Sequence, residues 1–235
     1  RRTEVAQSFA HDVKLQLDLE CQACAEAVLK KMFPAHGILG EEGRAYGGAG
    51  APLWIIDPVD GTVNFFHGMA LWCSSVAVQW RGRICAGAVF APELDALYTA
   101  HAEGPALCND QPIHASSIKE LKDAMALAGL GKHIHDDPAA FQLLKELALR
   151  AQKVRAMGSA ALDICHVACG RAEAYYESGV HLWDIAAAGL IAERAGARSE
   201  ILETLSEFRY RYLCANGPVF DEIKALIMTF APSQG

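Results

Sequence analysis

An apolar run, Trp54-Ile55-Ile56, leads straight into two carboxylates three residues apart, Asp57 and Asp60, and a Gly61-Thr62 pair follows at once. No other stretch constrains the chain as tightly. Strand-end carboxylates at this spacing can aim at a common cation. The following Gly-Thr can turn backbone N–H groups and a hydroxyl toward an anion. A divalent cation plus a phosphate is the simplest ligand set that satisfies both halves. Taken alone, the stretch suits a capped turn equally well, because Asp-Pro and Asp-Gly are common turn pairs.

Bulk properties narrow the class. A chain of 235 residues can form one unit or two tightly joined lobes. Its 52% hydrophobic and 21% charged residues are those of a globular protein. The net charge of −7, with no Lys/Arg-rich stripe, argues against nucleic acid as a partner. A site for anionic substrates on so acidic a chain has to rely on metal ions. The 8 cysteines include a single CxxC, Cys21 and Cys24, and a pair one helical turn apart, Cys165 and Cys169. They read as reduced thiols of a cytoplasmic protein rather than a zinc or disulfide framework. No signal peptide is visible, and no apolar run reaches the ~18 residues of a membrane span, so no membrane partner is expected.

Along the chain, Leu19 to Phe33 reads as an amphipathic helix capped by Asp18 and ended before Pro34. A short strand or turn over 36–39 leads to Glu41-Glu42, and Gly43 to Pro52 reads as a loop. Strands are expected at Trp54–Ile56, Ser74–Gln79, Ile84–Phe90 and Ala96–Ala100, the last three as an antiparallel meander, with a tight turn at Asn109-Asp110. After about Ala115 strands and helices alternate. Strands fall at 125–129, 153–157, 172–177 and 210–215. Helices fall at 138–151, with Leu143, Leu144, Leu147 and Ala148 inward, and at 159–169, 184–195 and 219–228, two of them stopped by Gly170 and Gly196. The expectation is a mixed α/β chain with an N-terminal α+β lobe over 1–115 and a C-terminal α/β lobe over 116–235.

Asp57-Pro58-Val59-Asp60-Gly61-Thr62 with Asn64-Phe65 resembles the signature of the inositol monophosphatase family, Mg²⁺-dependent and lithium-sensitive phosphatases. Gly40-Glu41-Glu42 is similar to its metal-binding glutamate segment, and Trp183-Asp184-Ile185-Ala186-Ala187-Ala188-Gly189 to its second signature. Gly158-Ser159-Ala160-Ala161 and Ala174-Tyr175-Tyr176-Glu177 fit in order and spacing, so the likeness runs from about Asp12 to about Asn216. It implies a layered α/β/α/β/α sandwich. It also implies hydrolysis of a small phosphorylated polyol or sugar, with inositol 1-phosphate as the default, by metal-activated water. Two or three Mg²⁺ ions are implied, and a homodimer.

Carried over residue by residue, the resemblance makes Asp57 a bridge between two metals. Glu41 and the Val59 carbonyl complete the first, Asp60 and Asp184 the second. Such an arrangement of carboxylates meets the demand of two-metal hydrolysis for oxygen-only ligands. Thr62, with the amides of Gly61 and Thr62, falls near the phosphate, and Asp18 partners Thr62 in activating the water. Glu42 is placed at an outer water or a further metal. Glu177 falls at a sugar-hydroxyl acceptor, and Gly158, Ser159 and Ala160 line the facing wall of the phosphate and substrate site. Each residue alone has a plainer reading: a solvated pair for Glu41-Glu42, helix caps for Asp18 and Asp184, an exposed acid for Glu177. His67 and His181 read as packed or loop histidines, and Arg155 as the arginine nearest a ligand.

The pattern departs from the family in three places. Leu15 stands where relatives carry a threonine within Asp12–Asp18, the mobile-loop lysine has no counterpart in Gln7–His11, and the region after Gly196 is shorter. Two rivals follow: a sister specificity, for histidinol phosphate (Gly68–Trp72 resembles that branch) or another sugar or nucleotide phosphate, and a catalytically weakened relative that binds phosphorylated ligands.

Overall fold

The structure is a computed structural model, and it describes residues 3–9, 12–46, 50–131 and 138–230. Among these the chain opens with a two-stranded hairpin, β1 (Val5–Phe9) against β2 (Asp12–Leu15), which feeds directly into α1 (Gln16–Met32). The first large sheet uses β3 (Gly37–Gly40), β4 (Gly43–Tyr46), β5 (Leu53–Asp60), β6 (Cys73–Trp80), β7 (Arg83–Ala91), β8 (Ala96–His101), β9 (Leu107–Cys108) and β10 (Gln111–Pro112). Its order is β10-β9-β8-β7-β6-β5-β3-β4, and only the β3–β5 pairing is parallel. Alternation explains the meander: along β6 the buried positions are Cys73, Ser75 and Ala77, every second residue.

The second sheet takes β11 (Met125–Ala128), β12 (Lys153–Arg155), β13 (Ala174–His181), β14 (Ala197–Ser206) and β15 (Arg209–Asn216) in the order β12-β11-β13-β15-β14. Two helices, α4 (Ala160–Ala168) and α5 (Leu182–Arg194), lie between the sheets. They are rich in alanine and buried nearly all round, as helices enclosed on two sides must be. On the far face of the second sheet, α3 (Pro138–Arg150) and α6 (Gly217–Phe230) share a core of Leu143, Leu147, Phe220 and Ile223 with Leu213. A smaller cluster of Leu15, Val59 and Phe65 joins the start of α1 to the end of β5 and to α2 (Thr62–His67). The layers run helix, sheet, helix, sheet, helix, as expected.

Several local expectations are corrected. The first helix begins at Gln16, with Leu15 as its N-cap, so Asp18 is the third helical residue rather than the cap. Tertiary packing overrides the weak capping propensity of leucine here, because Leu15 is fully buried. Residues 43–46, expected in a loop, pair with β3 as an edge strand, while 47–49 lie outside the described residues. β5 continues through the acidic motif instead of ending at Ile56. In α3, Ala148 is exposed while Leu143 and Leu147 are buried. The strands β1, β2 and β14 were not anticipated; β14 and β15 form a long hairpin after Gly196.

Candidate metal centre

The motif strand carries an irregularity where its chemistry sits. Asp57 pairs with Ser75 and Asp60 with Cys73, so Pro58 and Val59 together oppose the single residue Ser74. This is a β-bulge. Proline, which cannot donate to a ladder, is accommodated there, and its carbonyl accepts the Ser74 hydroxyl at 2.7 Å. The Asp57 carboxylate folds back onto its own strand, accepting the Val59 N–H at 3.0 Å. The bulge brings both acids to one end of the strand.

The turn that follows needs glycine. Gly61 has φ +88°, and a Cβ there would lie 2.9 Å from the Leu71 carbonyl oxygen and 3.2 Å from that of Gly158. Thr62 starts α2, and its hydroxyl donates to the Val59 carbonyl at 2.9 Å. Asn64 clips the next segment in place, its amide donating to the carbonyls of Leu71 and Met157, each at 2.7 Å.

Asp60 crosses from the first sheet to the helix layer. Its Oδ2 accepts the Ser159 hydroxyl and the Ala161 N–H, both at 2.7 Å, and its Oδ1 accepts the Ala160 N–H at 3.2 Å. The carboxylate thus supplies the cap that α4 lacks from its own N-cap, Ser159. The buried Cys73 thiol reaches the same oxygen at 3.6 Å. Burial raises the pKa of Asp60, and these donors work in the opposite direction by stabilising its charge.

Asp184 comes from the third position of α5, where its Oδ2 accepts the His181 N–H at 2.8 Å. One oxygen each of Asp57, Asp60 and Asp184 lie within 4.8 Å of one another. Burial first, and then the charges of Glu41, Asp60 and Asp184, hold Asp57 well above the ordinary carboxylate range. Asp184 is pushed up by burial, Asp60 and Glu41. A proton or a cation relieves the repulsion among these acids. The donor set is all oxygen and carries excess negative charge, which fits a hard divalent cation such as Mg²⁺ and not a softer ion that prefers thiolate or imidazole.

The other anticipated residues fall around this centre. Glu41 follows β3, its N–H donating to the Ile56 carbonyl at 3.1 Å, and it lies outside the three-aspartate group while acting on it electrostatically. The Glu42 N–H donates to Gln22 Oε1 at 2.8 Å, which ties the acidic pair to α1. Asp18 is buried, and its Oδ2 accepts the Leu15 N–H at 2.8 Å. Gly158 packs against Asn64, while Ser159 and Ala160 turn their donors onto Asp60. Glu177 lies on β13, half-buried, with the Tyr175 hydroxyl donating to it. His67 is exposed, and His181 stacks face to face on Trp183 with ring centroids 4.9 Å apart. Arg155 is exposed, and its guanidinium donates to the Val154 carbonyl at 3.0 Å.

Three participants were not foreseen as such. Asn64 as a tether, Cys73 beside Asp60 and Gln22 under Glu42 all act across long sequence separations. The one local signal was Asn64, two residues beyond Thr62 and already within the motif.

Comparison with known proteins agrees with this geometry. The sequence profile of the inositol monophosphatase family matches residues 2–220. A chloroplastic phosphatase of Arabidopsis thaliana, IMPL1, is 39% identical over 217 residues, covering 88% of this chain and 58% of its own length. An inositol-1-monophosphatase of Rhizobium meliloti is 38% identical over 192 residues, covering 80% of this chain and 71% of its own. Among solved structures, an inositol monophosphatase from Anabaena superposes with a TM-score of 0.83 at 31% identity, over 92% of this chain and 87% of that one. The chain therefore spans well under two thirds of the plant relative. With the fold, the three converging aspartates and a profile match from end to end of the motif set, this chain belongs to the inositol monophosphatase family.

Proposed function

We propose that this chain hydrolyses phosphate monoesters of small polyols, with inositol 1-phosphate as its substrate and two Mg²⁺ ions as cofactor. One observation carries the reading: three aspartates, two buried and one half-buried, 127 residues apart at the extremes (57 and 184), converge within 4.8 Å. Unrelieved carboxylates at such a distance are costly, and a site that keeps them is built for cations. The names of the Rhizobium and Anabaena relatives supply the substrate class.

In this reading Asp57, Glu41 and the Val59 carbonyl would hold one ion, and Asp57, Asp60 and Asp184 would hold the other. When bound, the ions polarise the phosphoryl oxygens and ease ionisation of a nucleophilic water. The chain's own residues supply position. The bulge at Pro58-Val59 aims Asp57, and the first turn of α4 fixes Asp60 through Ser159 and Ala161. Thr62 and Asp18 would form the pair that activates the water, which requires the Thr62 hydroxyl to turn from the Val59 carbonyl, its acceptor in this structure, toward the Asp18 carboxylate. Gly61 and Thr62 would face the phosphate, Gly158, Ser159 and Ala160 would line the facing wall with the Ser159 and Ala160 donors kept on Asp60, and Glu177 would accept a polyol hydroxyl. A third ion near Glu42, lithium sensitivity, a cytoplasmic location and a homodimer extend the same reading on family membership. The division into lobes at Ala115 is supported by the first sheet ending at Pro112 and the second starting at Met125.

The test is phosphate release from inositol 1-phosphate, histidinol phosphate, fructose bisphosphate and adenosine bisphosphate, with Mg²⁺ and with EDTA. Turnover that needs Mg²⁺ and disappears in Asp184→Asn supports the proposal. Metal binding without turnover of any ester supports the weakened relative instead.

A further inference from the structure

Glu177 is gripped rather than merely present. Its Oε2 accepts the hydroxyl of Tyr175, two residues earlier on the same face of β13. Tyr175 is fully buried, and its ring packs 6.4 Å from that of Tyr212, whose own hydroxyl is bonded to Ser199 Oγ at 2.6 Å. The donor is therefore fixed from behind. On the other side, the Gly129 N–H donates to the Tyr176 carbonyl at 2.9 Å, which draws the end of β11 alongside Glu177. A Cβ on Gly129 would overlap Glu177 Oε2, and one on Gly131 would lie 3.0 Å from Oε1. Only a glycine backbone lets the carboxylate lie where it does.

From this arrangement we propose that Tyr175 and Gly129 are positioning residues that set substrate specificity. They hold the Glu177 carboxylate in one orientation, with Oε2 taken by the tyrosine and Oε1 left to accept a hydroxyl of the substrate's alcohol portion. The inference rests on the phosphatase reading above and deepens it: the favoured substrate class is a phosphate monoester whose alcohol carries a free hydroxyl near the ester, and esters without one gain nothing from the clamp. A carboxylate is an acceptor only, so it discriminates a hydroxyl from an aryl or alkyl group at that place. Burial raises the pKa of Glu177, while the tyrosine hydrogen bond and the charge of Arg209 oppose that rise and keep it an acceptor.

The experiment compares wild type with Tyr175→Phe, Gly129→Ala and Glu177→Gln on two esters, inositol 1-phosphate and 4-nitrophenyl phosphate, which offers no hydroxyl. Melting temperature is recorded for each variant in Mg²⁺. The expected result is a KM for inositol 1-phosphate raised about tenfold in Tyr175→Phe, with kcat and both constants for 4-nitrophenyl phosphate within about twofold of wild type. Gly129→Ala should follow the same split, and Glu177→Gln, which alters the acceptor itself, should raise the KM for inositol 1-phosphate at least as far. Equal losses on both esters, or an unchanged KM for inositol 1-phosphate in Tyr175→Phe, overturn the positioning role and leave the phosphatase reading standing. A wild-type chain that hydrolyses neither ester overturns both.

Discussion

Asp60, on the first sheet, caps a helix that begins 100 residues later: its Oδ2 and the Ser159 hydroxyl are 2.7 Å apart at the N-terminus of α4. One carboxylate therefore serves the fold and the site together. Removing the hydroxyl in Ser159→Ala takes one donor from a buried charged acceptor, worth about 1.5–3 kcal/mol. Urea unfolding in EDTA should show a loss of that size, and Mg²⁺ affinity measured by calorimetry should fall as well, because the freed carboxylate is no longer aimed. Lost stability with unchanged affinity would mean that Ser159 supports α4 alone.

Asn64 gives a second, independent prediction. Both its donors are used on main-chain carbonyls, of Leu71 and Met157, that join the turn after α2 to the approach to α4. Asn64→Ala leaves two carbonyls without their partner, at about 1–3 kcal/mol each where water cannot replace it. Stability should drop by about 2–4 kcal/mol, and turnover should fall while Mg²⁺ affinity stays closer to wild type. Asn64→Asp should be no better, since a carboxylate cannot donate to either carbonyl.

Asp163, on α4, is buried with Oδ1 lacking a hydrogen-bond partner, and burial, then Asp60 and Glu177, push its pKa up to about 8. A raised folded-state value means that the folded chain holds a proton which the unfolded chain releases above about 3.8. The stabilising contribution is full below that value and is lost as pH rises through about 8. In EDTA the wild type should lose up to about 1.4 kcal/mol per pH unit to this group across that window. Asp163→Asn, neutral throughout, should be flatter and more stable than wild type at pH 8. Parallel stability profiles for the two chains, from urea unfolding between pH 5 and 8, would contradict this assignment.

The same sign governs the three aspartates together. Burial and mutual repulsion raise Asp57, Asp60 and Asp184, so the metal-free fold weakens as pH rises from the ordinary carboxylate range. A divalent cation replaces the protons. Mg²⁺ should therefore raise the melting temperature strongly at pH 8 and only slightly at pH 5, where protons compete for the ligands. Calorimetric scans at the two pH values check this, and an equal shift at both would contradict it.

Much of this was legible in the sequence because it was written locally. Strands β6, β7 and β8 are apolar runs split by Arg81-Gly82 and Pro92-Glu93, Gly170 and Gly196 stop α4 and α5, and the Asp57–Thr62 motif announces its chemistry within six residues. What escaped depends on partners far away. Leu15 has the wrong chemistry for an N-cap and holds that place only because Val59 and Phe65 bury it. β14 reads as a mixed polar run, half-exposed on an edge, and becomes a strand by pairing with β15. The capping of α4 by Asp60 leaves no trace in the sequence around Ser159, since the acceptor comes from another sheet. The three converging aspartates were legible as residue types, whereas the hydrogen bonds that orient them were not.

The central claim is that Asp57, Asp60 and Asp184 form one cation site. Titration of EDTA-stripped protein with Mg²⁺ by calorimetry, in wild type and in Asp57→Asn, tests it most directly. The account predicts Mg²⁺ binding by the wild type and a loss of more than about a hundredfold in affinity when the Asp57 carboxylate is neutralised. Unchanged Mg²⁺ binding in Asp57→Asn, or none in the wild type, would contradict it.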